Sequence, residues 1–336
     1  MNAAHGHCRT IASLNGPSNG YQDFLTGTCS VKGQNSIIWV KYHESDNLVS
    51  LGGSIPFKTQ VRRLAVHPSH ESFVVVSSHD TSNVVRFSSE KLTCDEVAEL
   101  PGATYVCWEP EDEEKASTER LVSTGGGYLR IWDLQSEKAM DIGECPIPRC
   151  SALAWNPHQL QEVSVASNGS IVSVDLREMT VHRTIDSVHD GSVLEISYNT
   201  NLPYYIASAG TDGFVKFWDV RNPAQPIAII SAHQHWVNSV CFNKFHDQLL
   251  LTAGSDASAK LWRVSSISSA PLLDEEEEDP TQSSNDVLIS NLEDFSDAVY
   301  SVAWSSSDAW TYAAVSYDGR VCVNRVPSAE KYKILL

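Results

Sequence analysis

The chain has 336 residues, of which 42% are hydrophobic and 9% aromatic, enough for a large buried core. Its formal net charge of −18 at pH 7 disfavours nucleic acid or an anionic membrane as the main partner, because both bind basic surfaces. A basic peptide or protein surface suits this charge better. Its longest apolar runs fall far short of the roughly 20 residues that span a membrane, so we expect no membrane insertion.

From the N-terminus onward, the predicted elements are short strands. The first three are predicted at residues 9–14, 23–28 and 37–41. Later apolar strands end at an aromatic residue or a proline turn, as in VRRLAVHP, ATYVCWEP, SALAWNPH, SVLEISYN, WVNSVCFN and AVYSVAWS. A period of two and enrichment in Val, Ile, Tyr and Trp are typical of strands, so we predict an all-β fold. Residues 332–336 are predicted to form an outer strand or to seal the last unit against the first.

A repeat of about 44 residues organises these strands. In SAGTDGFVKFWDVR, Asp212 stands six residues before Trp218, and Asp256 stands in the same relation to Trp262. Equivalent anchor positions, spaced by 48, 45, 42, 44, 44 and 62 residues, are Trp39, Phe87, Trp132, Val174, Trp218, Trp262 and Asn324. This period is the length of a four-stranded propeller blade. We therefore predict that residues 1–336 form one closed seven-bladed β-propeller, since closure removes exposed sheet edges.

The last spacing is longer because it contains an acidic segment, PLLDEEEEDPTQSSNDV, at residues 271–287. Six consecutive acidic side chains, residues 274–279, repel one another and do not pack into a core. The segment is predicted to be a disordered insertion loop between blades six and seven. A shorter acidic stretch at residues 109–120 is predicted to join the first and second strands of blade three.

The fifth and sixth repeats share a four-residue polar pattern. Its members are His189, Ser208, Asp212 and Trp218, and then His233, Thr252, Asp256 and Trp262. The pattern resembles that of the WD-repeat β-propeller family. The resemblance implies a buried network in which Asp accepts from the His ring, the ring meets the hydroxyl, and the hydroxyl meets the indole N–H. His, Ser and Asp also suit a hydrolase, but catalysis does not require the trio to recur from blade to blade, so a structural role is favoured.

Other candidate sites are weaker. The three glycines at 125–127 lack the helix and Lys of a phosphate-binding loop and suit a tight turn. The histidine pairs HGH and HQH have no zinc-site spacing around them. The eight cysteines form no C-x-x-C pair and are predicted to be free, buried thiols of a cytosolic protein. We therefore expect no enzyme activity, no catalytic residues, no metal ion and no cofactor.

A candidate partner-binding face follows from aligning the blades. The residue before the innermost strand of a blade commonly lines one rim of the central channel, and in blade six it is Trp236. Because Trp262 already serves as the structural tryptophan of that blade, Trp236 suits an interface anchor. The alternative is that Trp236 packs sideways onto the next blade. The predicted patch consists of Arg149, His235, Trp236, Asp297 and Tyr317.

The C-terminal third carries a more specific resemblance. Its segments HWV, NKFHDQLLLT, VSSISS, SYDGR, NRVP and KYKILL, the acidic insert, and PYYIASAGTDGFVKFWDVRNP resemble the EARP- and GARP-complex-interacting protein (tumour-suppressing subtransferable candidate) family. ATYVCWEP, YLRIWDL and DFLTGT are colinear with it. The resemblance implies a scaffold for endosomal and trans-Golgi tethering complexes, acting in endosomal recycling and dense-core vesicle biogenesis. It further implies cytoplasmic localisation at those membranes, as a monomeric subunit of a larger assembly.

A second function stays open on the residues alone. Two successive blades end in Asp-x-Arg, which places Arg177 and Arg221 at equivalent positions. Such blades resemble substrate receptors of cullin–RING ubiquitin ligases, in which these arginines would face the adaptor. The alternative is that each arginine pairs with a neighbouring carboxylate at the edge of its blade.

Overall fold

The computed structural model describes residues 6–15, 20–70, 72–111, 119–135, 138–270 and 286–335. Seven antiparallel sheets follow one another along these residues. The strands of blades one to three are β1 Cys8–Ser13, β2 Tyr21–Thr28, β3 Asn35–His43, β4 Leu48–Phe57, β5 Arg63–Val66, β6 Phe73–Ser77, β7 Thr81–Ser88, β8 Thr93–Pro101, β9 Tyr105–Trp108, β10 Arg120–Gly125, β11 Tyr128–Gln135 and β12 Lys138–Pro146.

Blades four to six have four strands each, and blade seven has three strands among the described residues, followed by a helix. These elements are β13 Cys150–Trp155, β14 Glu162–Ser167, β15 Ser170–Asp175, β16 Thr180–Ile185, β17 Val193–Tyr198, β18 Tyr205–Gly210, β19 Phe214–Asp219, β20 Ala228–Ser231, β21 Val237–Phe242, β22 Leu249–Gly254, β23 Ala259–Val264, a 3₁₀ turn Ser265–Ile267, β24 Asp286–Leu292, β25 Val299–Trp304, β26 Thr311–Ser316, β27 Val321–Arg325 and α1 Ser328–Leu335.

The seven sheets close into a ring, which confirms the predicted seven-bladed propeller. The first strand of each blade is innermost and contacts the first strand of the next, and β25 contacts β1. Main-chain and side-chain hydrogen bonds also join the two ends, from Cys8 N to Tyr317 O at 3.1 Å and from Ser306 N to Ser13 Oγ at 2.9 Å. We call the side where the innermost strands begin the entry face, and the side where they end the opposite face.

The hydrophobic core lies between blades rather than within them. One cluster combines Phe217 of blade five with Trp262 of blade six, and another combines Phe24 of blade one with Val315 of blade seven. Because each blade buries its apolar side chains against its neighbour, removal of one blade would expose two interfaces. Each blade is therefore stabilised by packing against its two neighbours in the ring.

A recurrent turn ends the innermost strand in five blades. In each case one side chain accepts two main-chain N–H groups, as Asn199 accepts those of Asn201 and Leu202 at 2.8 Å each. The five acceptors are His67, Asn156, Asn199, Asn243 and Ser305. Such local acceptors satisfy donors that would otherwise lack partners where the strand ends.

Two predictions about the last blades are wrong. Residues 332–335 of the segment predicted as a final strand at 332–336 belong to α1, because Pro327 and Glu330 favour a helix start and the stretch lacks strand alternation; residue 336 lies outside the described residues. Within the predicted insertion at 271–287, Asp286 and Val287 begin β24, the outer strand of blade six. The acidic segment therefore interrupts blade six after β23 and does not connect blades six and seven; residues 271–285 lie outside the described residues.

Two further predictions agree with the strand bounds. The first three strands of blade one lie within two residues of the predicted limits at each end. In blade three, β9 ends at Trp108 and β10 begins at Arg120, so the acidic stretch joins these strands as predicted. Residues 112–118 of that stretch lie outside the described residues. No helix in the described part of the chain has the length and apolarity needed to cross a lipid bilayer.

Candidate functional site

In blade five, the four predicted polar residues form one continuous chain of hydrogen bonds. Trp218 Nε1 donates to Ser208 Oγ over 3.0 Å, and Ser208 Oγ lies 2.8 Å from His189 Nε2. His189 Nδ1 lies 2.9 Å from Asp212 Oδ1. Asp212 also accepts the main-chain N–H groups of Asp190 and Phe214, so the same carboxylate holds the turn between β18 and β19.

Blade six repeats this geometry within about 0.1 Å. Trp262 Nε1 lies 3.0 Å from Thr252 Oγ1, which lies 2.8 Å from His233 Nε2. His233 Nδ1 lies 2.9 Å from Asp256 Oδ1, and Asp256 accepts the main-chain N–H of Gln234. Threonine in place of serine leaves these distances unchanged, because only the hydroxyl group takes part in the hydrogen bonds.

Both histidines are neutral and inaccessible. Their side chains are 0% exposed, and burial lowers the pKa of His189 and of His233, although the facing carboxylates act in the opposite direction. A neutral ring donates from Nδ1 to the carboxylate and accepts the hydroxyl proton at Nε2, which satisfies every member of the chain. Because solvent does not reach these side chains, the two trios suit structural support rather than attack on a substrate.

The remaining blades keep fragments of the pattern. In blade three Trp132 Nε1 still donates to Ser123 Oγ at 2.8 Å, although Gly126 stands where Asp is expected. In blade four, which has Val174 in place of Trp, Ser164 Oγ lies 2.6 Å from the buried hydroxyl of Tyr198, which comes from β17 of the neighbouring blade five. A different residue therefore occupies the hydrogen-bonding position when the tryptophan is absent.

All five residues of the predicted partner-binding patch lie on the entry face, but they do not form one contiguous cluster. The rings of His235 and Trp236 are 5.3 Å apart, just before β21. Tyr317 follows β26, and its N–H donates to Ala298 O, next to Asp297. Arg149 is exposed before β13 and makes no hydrogen bond or ion pair with the other four. The entry face thus brings together two pairs, and Arg149 stands apart.

Trp236 lies at the mouth of the central channel. It lines a cavity of about 570 Å³ together with residues of every blade, and 49% of its surface is exposed. Such exposure does not fit a tryptophan packed sideways between two blades. Its position therefore suits contact with a partner.

The two Asp-x-Arg arginines lie on the opposite face, each paired within its own motif. Arg177 Nη2 lies 2.7 Å from Asp175 Oδ2, and Arg221 Nη2 lies 2.6 Å from Asp219 Oδ2. Arg221 also lies over the ring of Tyr204, with 4.2 Å between Cζ and the ring centroid. Each guanidinium is therefore paired with the carboxylate of its own motif. This is the local pairing that the sequence offered as the alternative to an adaptor contact.

Sequence reasoning missed three arginines, Arg9, Arg62 and Arg63, which line the channel mouth beside Trp236. They begin or precede the innermost strands of blades one and two. The adjacent arginines in VRRLAVHP could have indicated this site, because residues at the start of an innermost strand face the channel. Arg9 joins them because β1 packs beside β5.

Among the described residues, no group of three or more His, Cys, Asp or Glu side chains is arranged to hold a metal ion. The eight cysteines are all free. Burial raises the pKa of Cys107 to about 11 and that of Cys241 to about 12, so both thiols stay protonated at neutral pH.

Comparisons with known proteins place these features in a family. A family profile described as the EIPR1 beta-propeller matches residues 3–262, and one described as the WD domain, G-beta repeat matches residues 287–323. The EARP-interacting protein homolog of Gekko japonicus is 32% identical over 93% of this chain and 92% of its own length. The EARP and GARP complex-interacting protein 1 of Homo sapiens is 30% identical, and the EARP-interacting protein 1 of Caenorhabditis elegans 28%, with the same coverage.

Proposed function

The chain belongs to the EIPR1 beta-propeller family, and from that premise we propose that it is a scaffold that binds EARP and GARP complexes. The observation that carries this proposal is the similarity to relatives named for such binding over 93% of the chain. Because the similarity includes nearly the whole propeller, it covers both faces on which a partner could dock.

The proposed role is non-enzymatic. The only His–Ser–Asp and His–Thr–Asp trios predicted from the sequence are buried, and each is fully occupied by its own hydrogen bonds. A scaffold needs surface instead, and the entry face offers the half-exposed Trp236 with His235 beside it. We propose that the patch of Arg149, His235, Trp236, Asp297 and Tyr317 contributes to this contact.

The same premise gives the proposed location. A protein that binds tethering complexes acts where they act, so we propose a cytoplasmic protein held peripherally at endosomes and the trans-Golgi network. It would join the assembly as a monomeric subunit. Protein contacts then supply the membrane association, because the net charge of −18 opposes direct binding to anionic lipid.

Affinity purification with quantitative mass spectrometry tests this function. Tagged wild type is expected to enrich EARP and GARP subunits, and the Arg177→Ala/Arg221→Ala variant, altered on the opposite face, is expected to enrich them equally. If the wild type instead enriches a cullin–RING ligase adaptor, and the double variant loses it, the ligase-receptor function is correct. Enrichment of neither assembly contradicts both.

A further inference from the structure

The mouth of the central channel has the opposite charge to the chain as a whole. Its cavity of about 570 Å³, of a size typical of ligand sites, is lined by Arg9, Arg62 and Arg63 but by a single carboxylate, Glu195. The chain carries a net charge of −18. Three arginines gathered in one concave site of an acidic protein create a local positive potential, which is focused by the channel walls.

Arg9 and Arg63 are held in place, and Arg9 and Arg62 keep their donors free. Arg9 Cζ lies 4.7 Å from the ring centroid of Tyr300, and Arg63 Cζ lies 4.2 Å from that of Tyr105. Arg63 Nη1 also lies 3.0 Å from Glu195 Oε2. Within the described ranges, no ion pair or side-chain hydrogen bond engages the guanidinium of Arg9 or Arg62. A guanidinium stacked on an aromatic ring still presents its N–H edge, which suits bidentate contact with a carboxylate.

We propose that this channel mouth binds an acidic peptide segment of a partner protein. Carboxylates of the segment contact Arg9 and Arg62, while an apolar side chain next to them packs on Trp236 at the rim. Arg63 stays paired with Glu195 and shapes the wall of the site. This inference rests on the proposed function, since the segment would belong to a subunit of the EARP or GARP complex.

The lining favours carboxylates over phosphates. Glu195 offsets one of the three arginines, which leaves about two positive charges to match one or two carboxylates. A polyphosphate or a nucleic-acid backbone brings more negative charge and is repelled by the acidic chain around the site. The aromatic walls formed by Tyr105, Tyr300 and Trp236 fit the apolar parts of a peptide and not a phosphate cluster.

Direct binding to the purified protein tests the site. The probe is a fluorescein-labelled short peptide of alternating leucine and glutamate, and the control peptide carries glutamine in place of each glutamate. The Arg9→Gln/Arg62→Gln variant is expected to weaken binding of the acidic peptide at least about tenfold. The Arg177→Gln/Arg221→Gln variant loses the same charge from the opposite face and is expected to bind like wild type.

Several outcomes would overturn the inference. The first is equal binding of the two peptides, and the second is an equal loss of binding in the two double variants. The third is displacement of the acidic peptide by inositol hexakisphosphate at a far lower concentration than by unlabelled acidic peptide, which would assign a phosphate ligand. Circular dichroism melting of both variants checks that the fold persists. If Arg9→Lys/Arg62→Lys restores part of the affinity, charge rather than packing is responsible.

A parallel purification separates this inference from the proposed function. When wild type recovers EARP or GARP subunits, and Arg9→Gln/Arg62→Gln recovers them equally well and binds the acidic peptide like wild type, only the channel inference fails. When wild type recovers neither complex, the proposed function fails, whatever the peptide shows. Loss of both peptide binding and complex recovery in the channel variant supports both.

Discussion

Blades five and seven carry different side chains at the four positions of the polar pattern. Blade five uses His189, Ser208, Asp212 and Trp218 in a satisfied polar chain, whereas blade seven has Phe295, Ala314, Asp318 and Asn324 at those positions. Phe295 and Ala314 are buried in one apolar cluster. A buried polar network stabilises only if complete, so the His and the hydroxyl are replaced together by apolar side chains.

The aspartate is what the two blades share. Asp212 accepts the N–H of Phe214 at 3.2 Å, and Asp318 accepts the N–H of Arg320 at the same distance. Only Asp212 also binds a histidine. The comparison therefore separates two roles of this residue, one that fixes the turn and one that completes the network.

Removal of the tryptophan should show the largest difference. Trp218→Ala is expected to cost about 3–5 kcal/mol of unfolding free energy, because it creates a cavity and removes the donor to Ser208. Asn324→Ala at the equivalent, half-buried position in blade seven should cost less than about 1 kcal/mol. Urea unfolding of both variants measures the difference. Similar losses would mean that the network does not distinguish the blades.

Removal of the aspartate should give a smaller difference. Asp212→Ala leaves the buried Nδ1–H of His189 without its acceptor and is expected to cost about 1–3 kcal/mol. Asp318→Ala loses bonds to Ser316, Arg320 and the main chain of Ser296 but leaves no histidine without its acceptor, and is expected to cost about 0.5–1.5 kcal/mol. Thermal and urea unfolding are the readouts. An Asp318→Ala loss as large as that of Asp212→Ala would show that the turn role dominates in both blades.

The smallest expected effect is a dependence on acid pH. Burial lowers the folded-state pKa of His189 and His233 below the ordinary value of 6.5, so the unfolded chain binds more protons. Stability that is fully present above pH 6.5 should therefore be lost as the pH falls below it. In His189→Gln/His233→Gln, urea unfolding from neutral to mildly acid pH should show a shallower dependence. An unchanged slope would contradict the neutral, buried state of the two rings.

Sequence reasoning found the features set by local spacing. The repeat predicted seven blades, and the resemblance of the His189 and His233 patterns to WD repeats implied contacts that the structure contains. It missed α1, because eight residues are too few for a helical period to stand out. It also placed the acidic segment between blades, because the insert separates β24 in sequence from the other strands of blade six.

The residues that line the channel mouth could not be predicted from sequence spacing, for a different reason. Arg9 meets Tyr300 of blade seven only because the ring closes, and no local pattern links residues so far apart. The net charge of −18 also predicted a basic partner, which describes the average surface and not this site. Charge summed over a chain therefore says little about a small concave site.

Binding of the purified chain to purified EARP complex, followed by biolayer interferometry, tests the central claim most directly. Wild type should bind, and the entry-face variant Arg149→Ala/Trp236→Ala should bind about tenfold more weakly or worse, which is equivalent to about 1.4 kcal/mol. The opposite-face variant Arg177→Ala/Arg221→Ala should bind like wild type. The account is contradicted if folded wild type does not bind, or if the opposite-face variant loses binding and the entry-face variant keeps it.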